Sequence, residues 1–534
     1  MKKEDAPNKI ILGWRVNRGL DPDYWLRPGA TLGNHSDSSL ISVPAGATGN
    51  HTAIVAQSGS GKSFLLGRLI EELATKTKAR LLILDPNGDF LQIEEIASDA
   101  LWDTAGYHPN KRKGFLPTEP REEFKDAWDQ ITAKVRSASR AETIPVTPFD
   151  LPWSSLSPDF LNADLNPILA SEVHHCHRFV QAVTELSVGK VLTGHKSIGV
   201  LEEAEQLLDR LRRMPNDTDF TVQRDSLARQ YSTDALVSHR VRLRLTSSAE
   251  SFKRLFPDQP AEQLKTQFLE TIHKSIEEEH IQRALETLIR LPKYISEEAG
   301  RIYFGRARRY EESGIFTARL EYETEETVVA ELARLEVVDL SSIVDPEMRR
   351  LAVSSLIATE FERLRSARQA AISGGTEQDL RSPTFLIVDE AHNLIPAGEV
   401  DKARAALREQ FRAVAAEGRK YGFFLILVSQ RPDKLDSLVV SECENRIIMK
   451  IGSQAVLETT RQMLGLDDVS HKLLEKTLEF ETGRGLLYGG WAEEGPTLFY
   501  CAARRTKEGG RNLRPEHWAQ PYDPKQARIE REDD

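Results

Sequence analysis

The chain has 534 residues, of which 40% are hydrophobic and 29% are charged, and its formal net charge is −11. This composition excludes a disordered chain, and the acidic balance argues against a protein that coats nucleic acid with its whole surface, although a local basic channel remains compatible with it. Three scattered cysteines do not make a disulfide framework, and no apolar stretch approaches the roughly 18 residues of a membrane span, so we expect a cytoplasmic protein without a membrane partner.

The first strong apolar runs predict a strand–helix–strand unit near the amino terminus. Residues 52–55 (TAIV) and 81–84 (LLIL) are short and mainly apolar, which is typical of buried strands. Residues 63–76 lie between them and carry apolar side chains three and four positions apart, which predicts a helix. This order of elements is a βαβ unit of an α/β fold.

The middle of the chain has a different pattern. Its opening is rich in proline, serine and charge, and helical spacing follows at 172–192, 201–214 and 261–291. We interpret residues 101–324 as a mainly helical insertion within one α/β domain.

The strand pattern resumes in the last third of the chain. Candidate strands lie at 337–340, 385–388, 423–428 and 446–451, and helical segments at 347–370 and 400–420 alternate with the first three. Residues 486–489 and 497–501 are predicted edge strands.

A glycine-rich phosphate loop follows the first strand. Residues 56–63 read AQSGSGKS, the P-loop pattern, with Ala56 where glycine is commonest. Glycines at 59 and 61 allow backbone N–H groups to turn toward an anion at the start of a helix, Lys62 would reach the β- and γ-phosphates, and Ser63 would bind Mg²⁺. The segment therefore predicts ATP or GTP binding. The predicted nucleotide-binding residues are Ser58, Gly59, Ser60, Gly61, Lys62, Ser63 and Phe64.

Two acids and an amide complete the predicted catalytic set. Asp389 and Glu390 follow the apolar run 385–388, so Asp389 is the candidate metal-side carboxylate and Glu390 the candidate base for an attacking water. Gln430 follows the next apolar run and is a candidate sensor of the γ-phosphate. Residues 389–392 also spell DEAH, but the chain lacks the second P-loop-like domain and the other boxes of a DEAH-box RNA helicase.

Four segments together resemble the HerA-type ATPases of the HerA/FtsK superfamily. They are IVAQSGSGKSFL, LILDPNGDF, LIVDEAHNLIP and EGRKYGFFLILVSQRPDKLDSLVVSECENRIIMKI. The resemblance implies a RecA-like P-loop ATPase core with a large α-helical insertion, a homo-hexameric ring around double-stranded DNA, and ATP with Mg²⁺ between subunits. It also implies a residue supplied by the neighbouring subunit, for which Arg419 in GRKYG is the first candidate, with Lys420 and Arg431 as alternatives.

The resemblance also divides the chain into predicted segments. They are a short N-terminal arm or reduced barrel (1–50), an amino-terminal section of the ATPase core (51–100), the helical insertion (101–324), a carboxy-terminal section of the ATPase core (325–505) and a C-terminal arm (506–534).

Three functions of different classes follow from these residues. The first is an ATP-driven DNA translocase or helicase that feeds duplex to, or activates, a partner nuclease or effector, in anti-phage defence or DNA end processing. The second is a nucleotide-controlled scaffold that activates an effector enzyme with little translocation. The third is a conjugation- or secretion-type ATPase, which the absence of a membrane segment makes less favoured.

Overall fold

The structure of the chain is a computed structural model that describes most of the residues between Lys9 and Gly509. The described ranges are 9–15, 40–98, 102, 117–138, 146–149, 151–162, 164–192, 197–213, 226, 283–317, 319–321, 333–373, 382–464, 473–492 and 495–509. Most of the predicted helix 261–291 lies outside the described residues, which resume at 283 in a helical conformation. The predicted C-terminal arm beyond residue 509 also lies outside them.

An 11-stranded sheet forms the centre of the described structure. Its strands in spatial order are β2 (Leu40–Pro44), β1 (Lys9–Arg15), β15 (Thr497–Cys501), β14 (Arg484–Tyr488), β13 (Asn445–Ile448), β3 (Thr52–Val55), β12 (Phe423–Ser429), β11 (Thr384–Val388), β4 (Arg80–Asp85), β10 (Leu335–Asp339) and β5 (Ala133–Arg136). The strands from β13 to β5 pair in parallel, whereas β14, β15, β1 and β2 are joined by antiparallel pairing. All carboxyl ends of the parallel strands therefore meet at one edge.

Helices cover both faces of this sheet. Their bounds are α1 (Lys62–Lys76), α2 (Arg121–Trp128), α3 (Pro158–Asn162), α4 (Pro167–Leu192), α5 (Val200–Arg212), α6 (Glu297–Glu312), α7 (Pro346–Ser373), α8 (Lys402–Tyr421), α9 (Ser437–Ser441) and α10 (Gln454–Leu464). α1 and α2 share a hydrophobic cluster with one face, and α3 to α10 share a cluster with the other. No helix within the described ranges combines the length and apolarity that a membrane span requires.

The central strands are apolar on both faces because both faces are covered. In β4, Leu81 and Ile83 contribute to the cluster beneath α1, while Leu82 and Leu84 contribute to the cluster beneath α7 and α8. Alternate residues of a strand point to opposite faces, so a strand buried on both sides appears as an unbroken apolar run. This explains why the core strands could be predicted from apolar runs.

The insertion is helical and packs on the core. Its described residues from 151 onward contain α3 to α6 and two small sheets, β6 (Leu151–Pro152) with β8 (Phe316–Thr317) and β7 (Ser197–Gly199) with β9 (Arg319–Glu321). Trp153 Nε1 donates to the Tyr303 hydroxyl at 2.7 Å, and His177 Nδ1 lies 3.0 Å from the same oxygen. Trp153 belongs to the cluster that covers Leu84 and Leu386, so this part of the insertion lies on the α7–α8 side of the sheet. α2, which the prediction also assigned to the insertion, lies on the α1 side instead.

The sheet is wider than the sequence predicted. The runs at 486–489 and 497–501 form strands, but they are interior strands and the prediction of edges was wrong, since β1 and β2 extend the sheet past β15. At the other end the edge is β5, which lies inside the segment predicted as the insertion. β5 has four residues, AKVR, which is too short for strand periodicity to be recognised.

A buried histidine precedes β3 and makes the stability of the fold sensitive to acid. The His51 Nδ1 accepts the Leu425 N–H at 2.9 Å, so the proton lies on Nε2, which donates to the Ala415 carbonyl at 3.0 Å. Burial lowers the pKa of His51 to about 4 from an ordinary value near 6.5. The pKa of His51 is lower in the folded state than in the unfolded state. Its contribution to the free energy of unfolding is therefore fully present above pH 6.5 and is lost as the pH falls toward 4.

We expect the free energy of unfolding to fall by up to about 3 kcal/mol from this group between pH 6.5 and 4. His51→Gln should be less stable at pH 7.5 but should show a shallower loss on acidification in urea unfolding at pH 7.5, 6 and 4.5. His174→Gln is the matched control, since His174 is exposed on α4. Equal pH slopes for wild type and His51→Gln would contradict the assignment.

Candidate functional site

The P-loop lies at the carboxyl edge of the parallel sheet, between β3 and α1. Gly59 and Gly61 have φ angles of +75° and +94°, a left-handed conformation that L side chains rarely adopt, and Gly61 is the residue that caps α1. The loop is fixed from outside, since the Gly483 N–H donates to the Ser60 carbonyl at 2.7 Å and Thr482 Oγ1 donates to the Gly59 carbonyl at 2.9 Å. The N–H groups of the first turn of α1 are therefore presented at a fixed anion-binding position.

Lys62 is placed between the two predicted acids. Its Nζ lies 2.8 Å from Asp389 Oδ1 and 2.5 Å from Glu390 Oε1, although 327 positions separate Lys62 from Asp389 in the sequence. Burial alone would lower the pKa of the Lys62 ammonium, but the two carboxylates outweigh it and hold the pKa above its ordinary value. The predicted ATPase residues Lys62, Asp389 and Glu390 therefore form one charged cluster.

Glu390 is held in an unusual backbone conformation. Its φ of 46° and ψ of 45° are left-handed, and among the described residues it is the one residue other than glycine with a positive φ. Such a conformation costs of order 1–3 kcal/mol for a non-glycine residue and persists where the surrounding structure enforces it. It turns the carboxylate, which follows β11, back toward Lys62.

Two further side chains surround the Glu390 carboxylate. Gln430, the first residue after β12, donates its Nε2 amide to Glu390 Oε1. His392 Nδ1 lies 3.5 Å from Glu390 Oε2 and 3.2 Å from Ser429 Oγ. Burial lowers the pKa of His392 although Glu390 opposes the shift. The strand order places β11 beside β12, which is why Gln430 reaches Glu390.

The turn after β4 adds residues to the site that no residue pattern had assigned. The buried Asp85 carboxylate accepts the backbone N–H groups of residues 87–90 at 2.8–3.2 Å and so shapes the turn. Asp89 Oδ2 accepts the Ser63 hydroxyl at 2.8 Å, and Asn87 Nδ2 lies 3.5 Å from Asp389 Oδ2. In the sequence, the acid-rich turn after a buried strand could have indicated these residues. Their position at the P-loop depends on the pairing of β4 with β11, which the sequence does not show.

Arg419 is far from its own P-loop. It lies in the last turn of α8, directly before β12 begins, and therefore at the amino edge of the sheet. Its guanidinium is half-exposed, is paired with Glu444 Oε1 at 2.7 Å and donates to Asn50 Oδ1. The structure does not bring it together with Lys62 or Glu390.

The remaining predicted nucleotide residues differ in their surroundings. Ser58 is exposed, Ser63 and Phe64 are half-buried, and Ser60 is buried with no hydrogen-bond partner for its hydroxyl within the described ranges. An unpartnered buried hydroxyl in a phosphate loop is a polar group left for a ligand to satisfy.

The donor atoms near Ser63 suit a hard cation. Ser63 Oγ, Asp389 and Asp89 supply only oxygen, and Mg²⁺ typically takes one or two protein carboxylates together with phosphate oxygens and water. The residues present therefore fit a nucleotide-bound Mg²⁺, with Ser63 and Asp389 as the candidate ligands.

The strand order, the P-loop and the acids after β11 define a P-loop ATPase core of the RecA-like α/β class with a helical insertion. A family model described as "Helicase HerA, central domain" matches residues 31–163, and the model of the "ATPase family associated with various cellular activities (AAA)" matches residues 328–451. Over these two regions the chain is therefore similar to HerA helicases and to AAA ATPases.

Among curated relatives, the "DNA double-strand break repair helicase HerA" of Sulfolobus acidocaldarius is 31% identical over 163 residues, 30% of each chain. The protein of the same name from Sulfurisphaera tokodaii is 26% identical over 163 residues, again 30% of each chain. The chain thus matches about 30% of the length of these relatives. Among solved structures, VirB4 of Thermoanaerobacter pseudethanolicus aligns over 94% of this chain and 97% of its own, with 15% identity and a TM-score of 0.40.

Proposed function

We propose that the protein is an ATP-driven translocase of double-stranded DNA that works as a homo-hexameric ring. One observation carries the proposal, namely that the Lys62 ammonium lies between the Asp389 and Glu390 carboxylates while Gln430 donates to Glu390. A P-loop lysine, a metal-side acid and a base with a γ-phosphate sensor are the components that hydrolysis of a nucleoside triphosphate needs.

Each residue has a distinct task in this proposal. The P-loop N–H groups and Lys62 bind the phosphates, Ser63 and Asp389 hold Mg²⁺, and Glu390 orients and deprotonates the attacking water. Mg²⁺ held by these residues would supply positive charge that offsets the charge of the bound phosphates. The arriving phosphates attract Lys62 away from Glu390, which leaves the carboxylate available to the water.

The position of Arg419 supports the ring. Arg419 lies at the edge of the sheet opposite the P-loop, so it is too far away to serve the nucleotide site of its own subunit. A cation supplied from outside the site can stabilise the charge that develops on the γ-phosphate. We propose that Arg419 enters the site of a neighbouring subunit, so that ATP is hydrolysed between subunits.

Duplex DNA is the proposed substrate because two relatives that match part of the chain are named DNA double-strand break repair helicases. A net charge of −11 is compatible with this, since a ring holds DNA in a central channel and not on its outer surface. We further propose that the ring passes DNA to a nuclease or effector carried by a separate chain.

We expect duplex DNA to stimulate ATP hydrolysis, because a translocase couples its cycle to the polymer it moves. The measurement is the steady-state rate with duplexes of increasing length and with single strands of the same length. The rate should rise with duplex length up to the span of the ring, and it should fall as salt is raised, since phosphate contacts release counterions.

Glu390→Gln serves as the control for contaminating ATPases, because it should lose both the basal and the stimulated rate. If duplex of every length leaves the rate unchanged while nucleotide controls the binding of a partner, the scaffold function is correct and translocation is refuted.

A further inference from the structure

A segment without regular structure crosses the back of the nucleotide site. Residues 502–509, here called the strap, follow β15, and Ala502, Ala503, Arg504, Arg505 and Thr506 are all buried. Buried irregular chain is unusual because its polar groups need partners. The partners of the strap are specific, and they lead to the P-loop helix and to the turn after β4.

The strap contacts two elements of the nucleotide site, and the first of them is α1. Arg505 Nε lies 2.9 Å from Glu71 Oε2 and its Nη2 lies 2.9 Å from Glu72 Oε1, all with side chains no more than 2% exposed. The Thr506 N–H and hydroxyl both donate to Glu71 Oε1, at 2.7 and 2.8 Å. Buried charges are tolerated only when they are paired and hydrogen-bonded, so the strap is fixed to the helix that carries Lys62 and Ser63.

The second element that the strap contacts is the turn after β4, at Asp89. Arg504 Nη1 and the Gly509 N–H both donate to the Asp89 carbonyl oxygen at 3.1 Å. The Arg504 guanidinium also lies 4.9 Å from the centre of the Phe90 ring. The backbone of Asp89 is therefore held from the strap side, independently of the Asp85 carboxylate that accepts its N–H.

A glycine in α1 makes this crossing possible. A Cβ atom at Gly67 would lie 2.4 Å from Arg504 Cδ, so any larger residue there would displace the arginine. Glycine within a helix costs about 0.5–1 kcal/mol relative to alanine. Here it provides the space through which Arg504 passes over α1 to the Asp89 turn.

The connection ends at a proposed metal ligand. Asp89 Oδ2 accepts the Ser63 hydroxyl at 2.8 Å. A hydroxyl that donates its proton to a carboxylate directs its lone pairs elsewhere, which is the orientation that a cation ligand needs. The other acid of the proposed cation site, Asp389, is engaged by Lys62.

We propose that the strap is a positioning element for the Mg²⁺ side of the nucleotide site, acting from Arg504 through Asp89 on Ser63. This inference rests on the proposed function, since it assigns residues to the cation of the same site. Arg504 is a positioning residue, because it touches neither the nucleotide nor the cation. Outer partners of metal ligands typically contribute 10- to 100-fold in affinity.

The test compares the binding of ATPγS with Mg²⁺ and with EDTA, measured by calorimetry on the full chain. Arg504→Met keeps the aliphatic packing but removes the donor to Asp89, and Asp89→Ala removes the acceptor for Ser63. Lys507→Met is the matched control, since Lys507 is in the strap but pairs with Glu95 at 2.8 Å.

We expect Arg504→Met and Asp89→Ala to weaken Mg²⁺–ATPγS binding by about 10-fold each, to change binding in EDTA less than twofold, and to be non-additive in the double variant. Lys507→Met should match wild type. Equal losses with and without Mg²⁺, or additive losses, would overturn the proposal. If Arg504→Met does not fold, Gly67→Ala, which displaces Arg504 without removing its charge, takes its place in the same comparison. Failure of wild type to bind ATPγS at all would instead refute the proposed function.

Discussion

Glu390→Gln is expected to lower the rate of ATP hydrolysis by about 10²- to 10⁴-fold while ATP binding persists. The glutamine keeps the size of the side chain but cannot accept a proton from water. Glu390 is 7% exposed, lies 2.5 Å from Lys62 and is held in a strained backbone conformation, so its position does not depend on the negative charge alone. The P-loop contacts of the phosphates do not involve it.

The measurement is a phosphate-release assay together with a nucleotide-binding titration on the same preparation. Glu399→Gln is the matched control, because Glu399 is exposed in the loop before α8. Glu399→Gln should hydrolyse ATP at the wild-type rate. A Glu390→Gln variant that retains more than a tenth of the wild-type rate would exclude Glu390 as the base.

Arg419→Ala should lower hydrolysis by about 10³-fold or more, and mixing it with Glu390→Gln subunits should restore some of the activity. β12 has seven residues and spans about 20 Å, so Arg419 at its amino edge cannot reach the P-loop at the carboxyl edge of the same subunit. In a mixed ring, an Arg419→Ala subunit keeps its own Glu390 and can receive Arg419 from a Glu390→Gln neighbour. Such an interface contains both Glu390 and Arg419 and should therefore hydrolyse ATP.

Subunit mixing is verified by mass photometry of differently tagged variants with ATP. Lys420→Ala is the control, since Lys420 is the next residue of α8 and its ammonium lies 3.3 Å from Glu417 at the surface. It should keep near wild-type activity alone. If mixed rings form and no activity returns, Arg419 does not act across the interface. The Glu444 carboxylate, now paired with Arg419, would have to release it on ring assembly.

The residues of the charged cluster could be predicted because each follows an apolar run. Lys62 is set by the spacing of the P-loop glycines, and Asp389 and Glu390 by their place after the strand at 385–388. In a parallel sheet such positions share one edge, so the local sequence predicts that these residues lie at the same edge, while the strand order decides which of them meet. The structure places Lys62 within hydrogen-bond distance of both acids.

The contacts of the turn after β4 could not be predicted in the same way. Asp89 meets Ser63 because Asp85 accepts four backbone N–H groups and curls the turn, and because β4 lies beside β11. Neither condition leaves a periodic pattern in the sequence. The contacts of the strap were even less predictable from the sequence, since Arg505 pairs with Glu71 across 434 positions.

The sequence by itself determined the class of the core, its phosphate loop and the acids that oppose it, since these depend on local periodicity and on the residues that follow each strand. The tertiary structure decided which strands are neighbours and where the sheet ends. It also decided that the strap packs against α1 and the turn after β4. The physical reason is that buried ion pairs and hydrogen bonds between distant segments form only when packing brings those segments together, and composition and spacing carry no record of that packing.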